Sequence, residues 1–215
     1  MKLSLVAICI CISLAVNGQH SDHQSGSGNE GSSERDSDER WMWQLPGHVL
    51  RSLDLDSGMT VGDVGCGDGY FTFLIASRVG EKGRVYASDI DRASLEKLRS
   101  STRENSHRNI VIIQGTPDDP GLPDNEIDLI LLVNVTHLID NQVLFFSNLG
   151  RCLRTGGRLV IVQWDAGKLN TENPWTPGPE FSEDILLSNL ELAGFSLQRT
   201  EDYLPLQRIY HLFRQ

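Results

Sequence analysis

The chain has 215 residues, 39% of them hydrophobic, which is enough for one domain with a substantial core plus short extensions. It carries 29 acidic and 19 basic residues, a formal net charge of −10, with no cluster of Lys or Arg and no internal repeat. Because a surface of this sign repels phosphate backbones, the composition argues against nucleic-acid binding.

Residues 1–18 have the pattern of a signal peptide. Lys2 precedes the apolar run Leu3–Val16, and small residues lie near a cleavage point before Gln19. The run is too short for a comfortable membrane span. Residues 19–40 are acidic and polar with almost no apolar side chain, so this tail is predicted to be disordered. We therefore expect a folded domain over residues 41–215, no stable membrane span, and entry into the secretory pathway.

Two features oppose the secretory expectation. Removal of the signal leaves only Cys66 and Cys152, which allow at most one disulfide, and both are predicted to be free thiols. The only glycosylation sequon of the chain begins at Asn134, at the end of a predicted core strand, where a glycan would block a ligand pocket.

The folded part begins with a predicted helix over residues 41–54. Its apolar positions, with Pro46 near the start, suit a helix that covers one edge of a sheet. Trp41 and Trp43 are predicted to pack there, with direct substrate contact as the alternative.

The stretch Thr60–Ala76 organises the rest of the chain. It begins as a buried strand over residues 61–64, continues as a turn with glycines at alternate positions, and becomes an amphipathic helix. Gly65, Gly67 and Gly69 let the backbone approach a ligand closely, and the helix start offers free N–H groups to an anionic group.

The glycine spacing indicates the kind of ligand. A dinucleotide fingerprint requires Gly-x-Gly-x-x-Gly, whereas here the third glycine comes one position early and Tyr70 stands in its place. Asp63 precedes the first glycine by two residues, and a carboxylate there suits an ammonium group better than a pyrophosphate. The sequence therefore favours a ligand with an amino-acid end.

The next predicted elements are a strand over residues 85–88, a charged helix over 92–103 and an apolar strand over 109–114 of the parallel-sheet kind. Asp89 lies at the carboxyl end of the first of these strands, 20 residues after Gly69, which is the separation at which an acid reaches a pair of ribose hydroxyls. A carboxylate can accept from both hydroxyls at once.

A fourth strand is predicted over residues 129–133, followed by Asn134 and His137. Ligands bind at the carboxyl ends of strands in open α/β sheets, so both side chains are predicted to lie near the reacting end of a bound ligand. His137 is interpreted as a general base or a residue that orients the substrate, with a packed histidine at a helix start as the alternative.

The last third of the chain contains the final predicted elements. They are a helix over 140–153 capped by Asp140, a strand over 158–164 entered through Gly156-Gly157, a binding loop over 165–180, a helix over 181–193 capped near Ser182, and two strands over 195–203 and 206–213. Trp164 and Trp175 are predicted to contact the substrate. The closing hairpin makes the last strand antiparallel to its neighbours.

Three motifs in order resemble class I S-adenosylmethionine-dependent methyltransferases. They are Asp63-Val-Gly-Cys-Gly-Asp-Gly69, Val85-Tyr-Ala-Ser-Asp89-Ile-Asp91 and Arg154-Thr-Gly-Gly-Arg-Leu-Val-Ile161, the last with Thr155 where proline is usual. The likeness covers roughly residues 41–215 and is closest to the ubiquinone/menaquinone-biosynthesis and arsenite enzymes. It implies a Rossmann-like three-layer α/β sandwich with a seven-stranded, mostly parallel sheet of order 3-2-1-4-5-7-6.

The resemblance also implies S-adenosylmethionine as cofactor, a small-molecule acceptor and no metal. The implied cofactor contacts are Asp63, Gly65, Gly67, Gly69, Asp89, Ile90, Thr116, Asp118 and Asn134. Thr116 stands at the commonest acid position, so the contact to adenine stays open among Thr116, Asp118 and Asp119. Arsenite methylation is not expected, because those enzymes use several cysteines.

Two functions other than methyl transfer are possible for this sequence: a non-catalytic binding protein and an oxidoreductase. A methyltransferase fold that binds without catalysing would be marked by damage in the glycine motif or at Asp89, and both are intact. A nicotinamide-dependent oxidoreductase is disfavoured by the glycine spacing. If the reaction is methyl transfer, alignment of the reacting groups is the main task of the protein, and His137 is the candidate for removing a proton.

Overall fold

The computed structural model describes residues 41–105, 107–168 and 182–215. The predicted signal peptide, the polar tail and most of the predicted binding loop, including Trp175, lie outside these residues. Within the described ranges, no helix combines the length and the apolar character needed to cross a membrane.

Strands and helices alternate along much of the described chain, except that β4 follows β3 and β7 follows β6 without a helix between them. The strands are β1 Thr60–Val64, β2 Arg84–Asp89, β3 Ile110–Gln114, β4 Ile127–Val133, β5 Leu153–Trp164, β6 Phe195–Glu201 and β7 Gln207–Arg214. The helices are α1 Pro46–Ser52, α2 Tyr70–Val79, α3 Arg92–Glu104, α4 Gln142–Cys152 and α5 Glu183–Leu192, with a 3₁₀ turn at Thr136–Leu138.

The strands form one seven-stranded sheet of order β3-β2-β1-β4-β5-β7-β6. Strand β7 pairs antiparallel with both β5 and β6, and the other pairings are parallel. The predicted α/β architecture, strand order and antiparallel last strand are confirmed. Because β1 and β4 are neighbours while the chain leaves β1 towards β2 on the other side, the topological switch lies between them, where ligands bind in such sheets.

The sheet is covered on both faces. Residues of β4 alternate, so Leu129 and Leu131 pack with α1 and α2, while Ile130 and Leu132 pack with α4 and α5. All four are fully buried, and each such side chain contributes roughly 1.5–3 kcal/mol to folding. Helix α3 adds Leu95 and Leu98 to a smaller cluster next to α2.

Three boundary predictions were wrong. Helix α4 is capped by Asn141, whose Oδ1 accepts from the Leu144 N–H over 3.3 Å, and Asp140 lies one residue too early for this contact. Strand β5 already begins at Leu153, because the two glycines at 156–157 form an irregularity inside the strand instead of a turn before it. The first predicted helix is broken at Leu45, whose φ of +44° separates the helical residues 41–44 from α1.

Candidate active site

The glycine turn joins β1 to α2 in a tightly folded form. The N–H groups of Gly65 and Cys66 both donate to the carbonyl oxygen of Ser88, over 2.8 and 3.1 Å, which ties the turn to the end of β2. Gly69 has a φ of +100°, and a Cβ there would lie 2.4 Å from Cδ1 of Leu98. The conformation of this turn therefore requires glycine.

The other two glycines of the turn face different surroundings. A Cβ on Gly65 would lie 2.2 Å from Cγ2 of Val135, so the turn packs directly against the segment that follows β4. A Cβ on Gly67 would meet nothing within 4 Å. The open side of the turn is therefore at Gly67, where a ligand can approach the backbone.

Asp63 lies beneath the turn, 2% exposed, and its Oδ2 accepts a hydrogen bond of 2.6 Å from Thr72 Oγ1. Burial raises the pKa of this carboxyl to about 6, and the nearby charge of Asp89 adds to that rise, while Thr72 opposes it. A cation placed beside Asp63 would restore its charged form. The sequence analysis did not identify Thr72 as a site residue, although its position in the first turn of α2, directly after the glycine motif, could have indicated it.

Asp89 is held by the backbone at the end of β2. Its Oδ2 accepts from the Gly67 N–H and its Oδ1 accepts from the Asp91 N–H, both over 2.8 Å. Each carboxylate oxygen has a second lone pair, so both can still accept from a ligand. Ile90, which follows, is 57% exposed at the same edge of the sheet. Asp91 instead caps α3 through the N–H groups of its first turn.

The three candidates after β3 differ in their partners. Thr116 Oγ1 and the backbone of Asp119 close a short turn, and Asp119 also accepts from the Gly121 N–H and pairs with Arg151. The carboxylate of Asp118 is exposed and has no hydrogen bond to the described residues. Of the three side chains, that of Asp118 is left for a ligand.

Asn134 lies at the end of β4 with a φ of +55°. Its N–H donates to the Val162 carbonyl over 2.8 Å, and its Oδ1 accepts from Gln207 Nε2 over 2.9 Å. The residue is partly buried. This places the sequon asparagine against both β5 and β7.

His137 lies in the 3₁₀ turn three residues later. Its Nδ1 is 3.2 Å from Nε2 of Gln163, a fully buried residue of β5. Partial burial of the ring lowers the pKa of His137, which favours the neutral imidazole at neutral pH. The sequence did not single out Gln163 or Gln207, although a glutamine in an otherwise apolar strand end is a signal for a buried polar contact.

Trp164 and Trp175 were both predicted to contact the substrate, and the structure describes only the first of them. Trp164 is 7% exposed at the end of β5 and stacks on Trp43, with 4.9 Å between ring centroids. Its indole therefore packs against the N-terminal segment and holds that segment to this edge of the sheet. Trp175 lies outside the described residues, so its predicted contact stays a prediction.

Cys66 and Cys152 are both buried free thiols, as predicted. Burial is the main cause that raises the pKa of each thiol. Neither is therefore in the reactive thiolate form at neutral pH.

The fold and this edge of the sheet define a methyltransferase-type α/β protein. A family model described as "Methyltransferase domain" matches residues 55–194, and the chain belongs to this family. The match confirms the predicted class, and neither the binding-protein nor the oxidoreductase alternative finds support.

Curated relatives and solved structures point the same way. The chain is similar to the probable cobalt-precorrin-6B C(15)-methyltransferase (decarboxylating) of Sulfurisphaera tokodaii, at 34% identity over 58% of this chain and 62% of that protein. It is also similar to the ubiquinone/menaquinone biosynthesis C-methyltransferase UbiE of Shewanella piezotolerans, at 27% identity over 59% of this chain and 50% of that protein. The chain thus spans less than two thirds of the length of these relatives.

Among solved structures, an S-adenosylmethionine-dependent methyltransferase from Aquifex aeolicus superposes with a TM-score of 0.75 and 27% identity. The match covers 84% of this chain and 95% of that one.

The residues at this edge fit S-adenosylmethionine. Asp63 is a buried carboxyl whose raised pKa falls when an ammonium group lies beside it. Asp89 has lone pairs for ribose hydroxyls, and the open side of the turn at Gly67 leaves room for the ligand. The predicted cofactor agrees with the family.

Proposed function

We propose that this protein transfers a methyl group from S-adenosylmethionine to a small organic acceptor. The observation that carries the proposal is the pairing of an open glycine turn with apolar side chains at the same edge of the sheet. Leu138, next to His137, is 54% exposed, and Met42, next to the stacked Trp43, is 70% exposed. Each of these exposed side chains can contact an apolar part of a small molecule, and the net charge of −10 disfavours a nucleic acid.

The cofactor contacts follow from the free acceptors and donors of the site. Asp63 binds the ammonium group, Asp89 binds the ribose hydroxyls, and Asp118 accepts from the adenine amino group because Thr116 and Asp119 are engaged in their own turn. Ile90 packs on the adenine ring, and Asn134 lies by the methionine end of the cofactor.

The bound cofactor supplies a methyl group that is already activated on a positively charged sulfur. The chain then has to hold the acceptor in line with that group and exclude competing water. Such alignment is worth roughly 7–11 kcal/mol of the barrier. Both relatives reported above are named as C-methyltransferases, which supports a carbon atom as the nucleophile.

The test uses the purified protein, cofactor labelled in its methyl group, and three separate acceptor fractions: small molecules, proteins and nucleic acids. Label is expected in the small-molecule fraction, from which the product can be identified by mass. The control is Gly67→Val, whose side chain enters the open side of the turn and should abolish labelling. Label in the protein or nucleic-acid fraction would refute the small-molecule acceptor, and equal labelling by the control would refute the cofactor site.

We further propose that the protein enters the secretory pathway, on the strength of the apolar run Leu3–Val16 after Lys2. Expression of the full chain with a C-terminal tag, followed by fractionation and N-terminal sequencing, tests this. A mature N-terminus near Gln19 in a lumenal or secreted fraction is the expected result. A wholly cytosolic protein with Met1 intact would refute it.

A further inference from the structure

Three polar side chains form a hydrogen-bonded chain behind the segment that follows β4. Thr136 Oγ1 donates to Gln163 Oε1 over 2.8 Å, and Gln163 Nε2 lies 3.2 Å from His137 Nδ1. Thr136 and Gln163 are fully buried. In this arrangement the Thr136 hydroxyl is the donor and the carbonyl oxygen of the Gln163 side chain is the acceptor of a direct hydrogen bond.

This order determines where the imidazole hydrogen lies. The Thr136 hydroxyl donates to the carbonyl of Gln163, so the amide NH₂ of Gln163 is the group that faces the ring. An amide NH₂ only donates, so Nδ1 of His137 must accept, and the neutral ring carries its hydrogen on Nε2. His137 is exposed as a residue, so the Nε2–H is the ring group available to a ligand.

The backbone of the turn is also held in place. The backbone carbonyl of Thr136 accepts from Gln142 Nε2 of α4 over 2.8 Å, and Gln142 Oε1 accepts from Asn189 Nδ2 of α5 over 3.0 Å. The turn that carries His137 is thus tied to two helices and, through Gln163, to β5. Val135, in the same segment, packs against the glycine turn, so the tied turn lies beside the cofactor loop.

We propose that Gln163 is a positioning residue that holds His137 as a hydrogen-bond donor to the methyl acceptor. The role in the reaction rests on the proposed function, whereas the position of the ring hydrogen is a property of the free protein. In this arrangement His137 orients the acceptor and does not take its proton, because Nδ1, the nitrogen with the lone pair, is occupied by Gln163.

A donor at this place selects a class of acceptor. A hydrogen bond to an oxygen is stronger when that oxygen carries negative charge, so the Nε2–H favours the ionised form of an enol or phenol. That acceptor releases its proton to water, and its carbon or oxygen then takes the methyl group while the carbon–sulfur bond breaks and the electron pair stays on sulfur. A neutral amine nucleophile would gain nothing from this donor. The substrate class is therefore an acidic enol or phenol.

The first test measures the ring hydrogen directly, without any acceptor. The ¹⁵N NMR spectrum of protein labelled in its six histidines distinguishes a protonated ring nitrogen from an unprotonated one, and His137→Ala assigns the signal. The free protein should show Nε2–H. In Gln163→Glu the new carboxylate only accepts, so the hydrogen should move to Nδ1. In Thr136→Val, which keeps the volume but removes the hydroxyl that orients the amide, both forms should appear.

The second test measures turnover with the enol or phenol acceptor found by methyl labelling. Gln163→Glu should lower kcat on the order of a hundredfold, the usual effect of losing one well-placed donor, while cofactor affinity changes less than about threefold because the cofactor contacts lie elsewhere. Gln163→Met, which keeps the side-chain length without the amide, should lose less. Melting temperatures of all variants separate this effect from unfolding.

The outcomes distinguish this proposal from the proposed function. Nε2–H in the parent and Nδ1–H in Gln163→Glu support the positioning role. Nδ1–H in the parent, or no change in Gln163→Glu, would overturn it even if methyl transfer is confirmed. Unchanged or faster turnover in a stable Gln163→Glu protein, or an amine as the only acceptor, would overturn the donor role. A parent that binds cofactor but transfers no methyl group would instead count against the proposed function.

Discussion

The buried carboxyl of Asp63 makes the stability of the free protein depend on pH in a definite direction. Its pKa is raised from 3.8 to about 6 in the folded state. Folded protein therefore keeps the proton over a pH range in which unfolded protein has lost it. Stability from this group is present below pH 3.8 and is lost as the pH rises through about 6. The difference of about 2.2 pH units corresponds to about 3 kcal/mol, with little solvent screening because Asp63 is buried.

The substitution Asp63→Asn removes the ionisation and keeps an oxygen that can accept from Thr72. We expect the free variant to match the parent in stability near pH 4 and to exceed it by up to about 3 kcal/mol above pH 7. Urea unfolding of both proteins at several pH values measures the difference, in which the contributions of all other groups cancel. Asp68→Asn is the control, because it removes a carboxylate of the same turn that is exposed instead of buried.

Cofactor binding should respond in the opposite way. The parent needs an ionised Asp63 to bind an ammonium group, so its affinity for S-adenosylhomocysteine should rise about tenfold between pH 5 and pH 7. Asp63→Asn should bind weakly and without this pH dependence, which calorimetry can measure. Parallel stability curves for parent and variant, together with an equal affinity for the ligand, would refute the role assigned to this carboxyl.

Three further perturbations probe other parts of the structure. Gly65→Ala and Gly67→Ala should both lower the free energy of unfolding by roughly 1–2 kcal/mol, because φ is +73° and +57° at these positions. Gly65→Ala should cost roughly 1–3 kcal/mol more, because its Cβ would lie 2.2 Å from Val135 while that of Gly67→Ala meets open space. Asp89→Asn should weaken binding of S-adenosylhomocysteine about 10- to 100-fold in calorimetry, the usual worth of a hydrogen bond to a charged group. His211, fully buried, has a pKa lowered to about 4, chiefly by burial. The unfolded chain therefore takes this proton near pH 6.5 and the folded chain only near pH 4, so stability should fall by about 3 kcal/mol between those values. A parent and a His211→Gln variant with the same pH dependence in urea unfolding would contradict this.

The fold could be predicted because its signals are local and repeated. The apolar strands, the helix from Tyr70 and the glycine motif each follow from spacing within a few residues, and the strand order follows from the resemblance. The errors lie where a three-dimensional contact decides between neighbours. Asn141 caps α4 instead of Asp140 because of its position against the Leu144 N–H, and the pairing of β5 with β4 keeps the glycines at 156–157 within the strand.

The site could be predicted only in part, because some of its residues are defined by three-dimensional contacts. Asp63 and Asp89 stand out because of their separation from the glycine turn, two residues before Gly65 and 20 residues after Gly69. Thr72, Gln163 and Gln207 act through partners that are distant in sequence, at separations of 9, 26 and 73 residues respectively. The position of the hydrogen on His137 depends on such a distant partner and cannot be deduced from the residues around it.

The buried thiol of Cys66 has a consequence for the environments in which the protein can work. Its sulfur lies within the cofactor turn, 8% exposed, and its pKa is raised by burial and by the carboxylates around it. Only the thiolate reacts readily with disulfides or alkylating agents, so an oxidising lumen leaves this cysteine untouched while the turn is closed. Modification requires the turn to open, so the rate at which iodoacetamide labels Cys66 reports how often opening occurs. If S-adenosylhomocysteine binds against this turn, it should slow that rate, and the labelling of Cys66 would then report occupancy of the site.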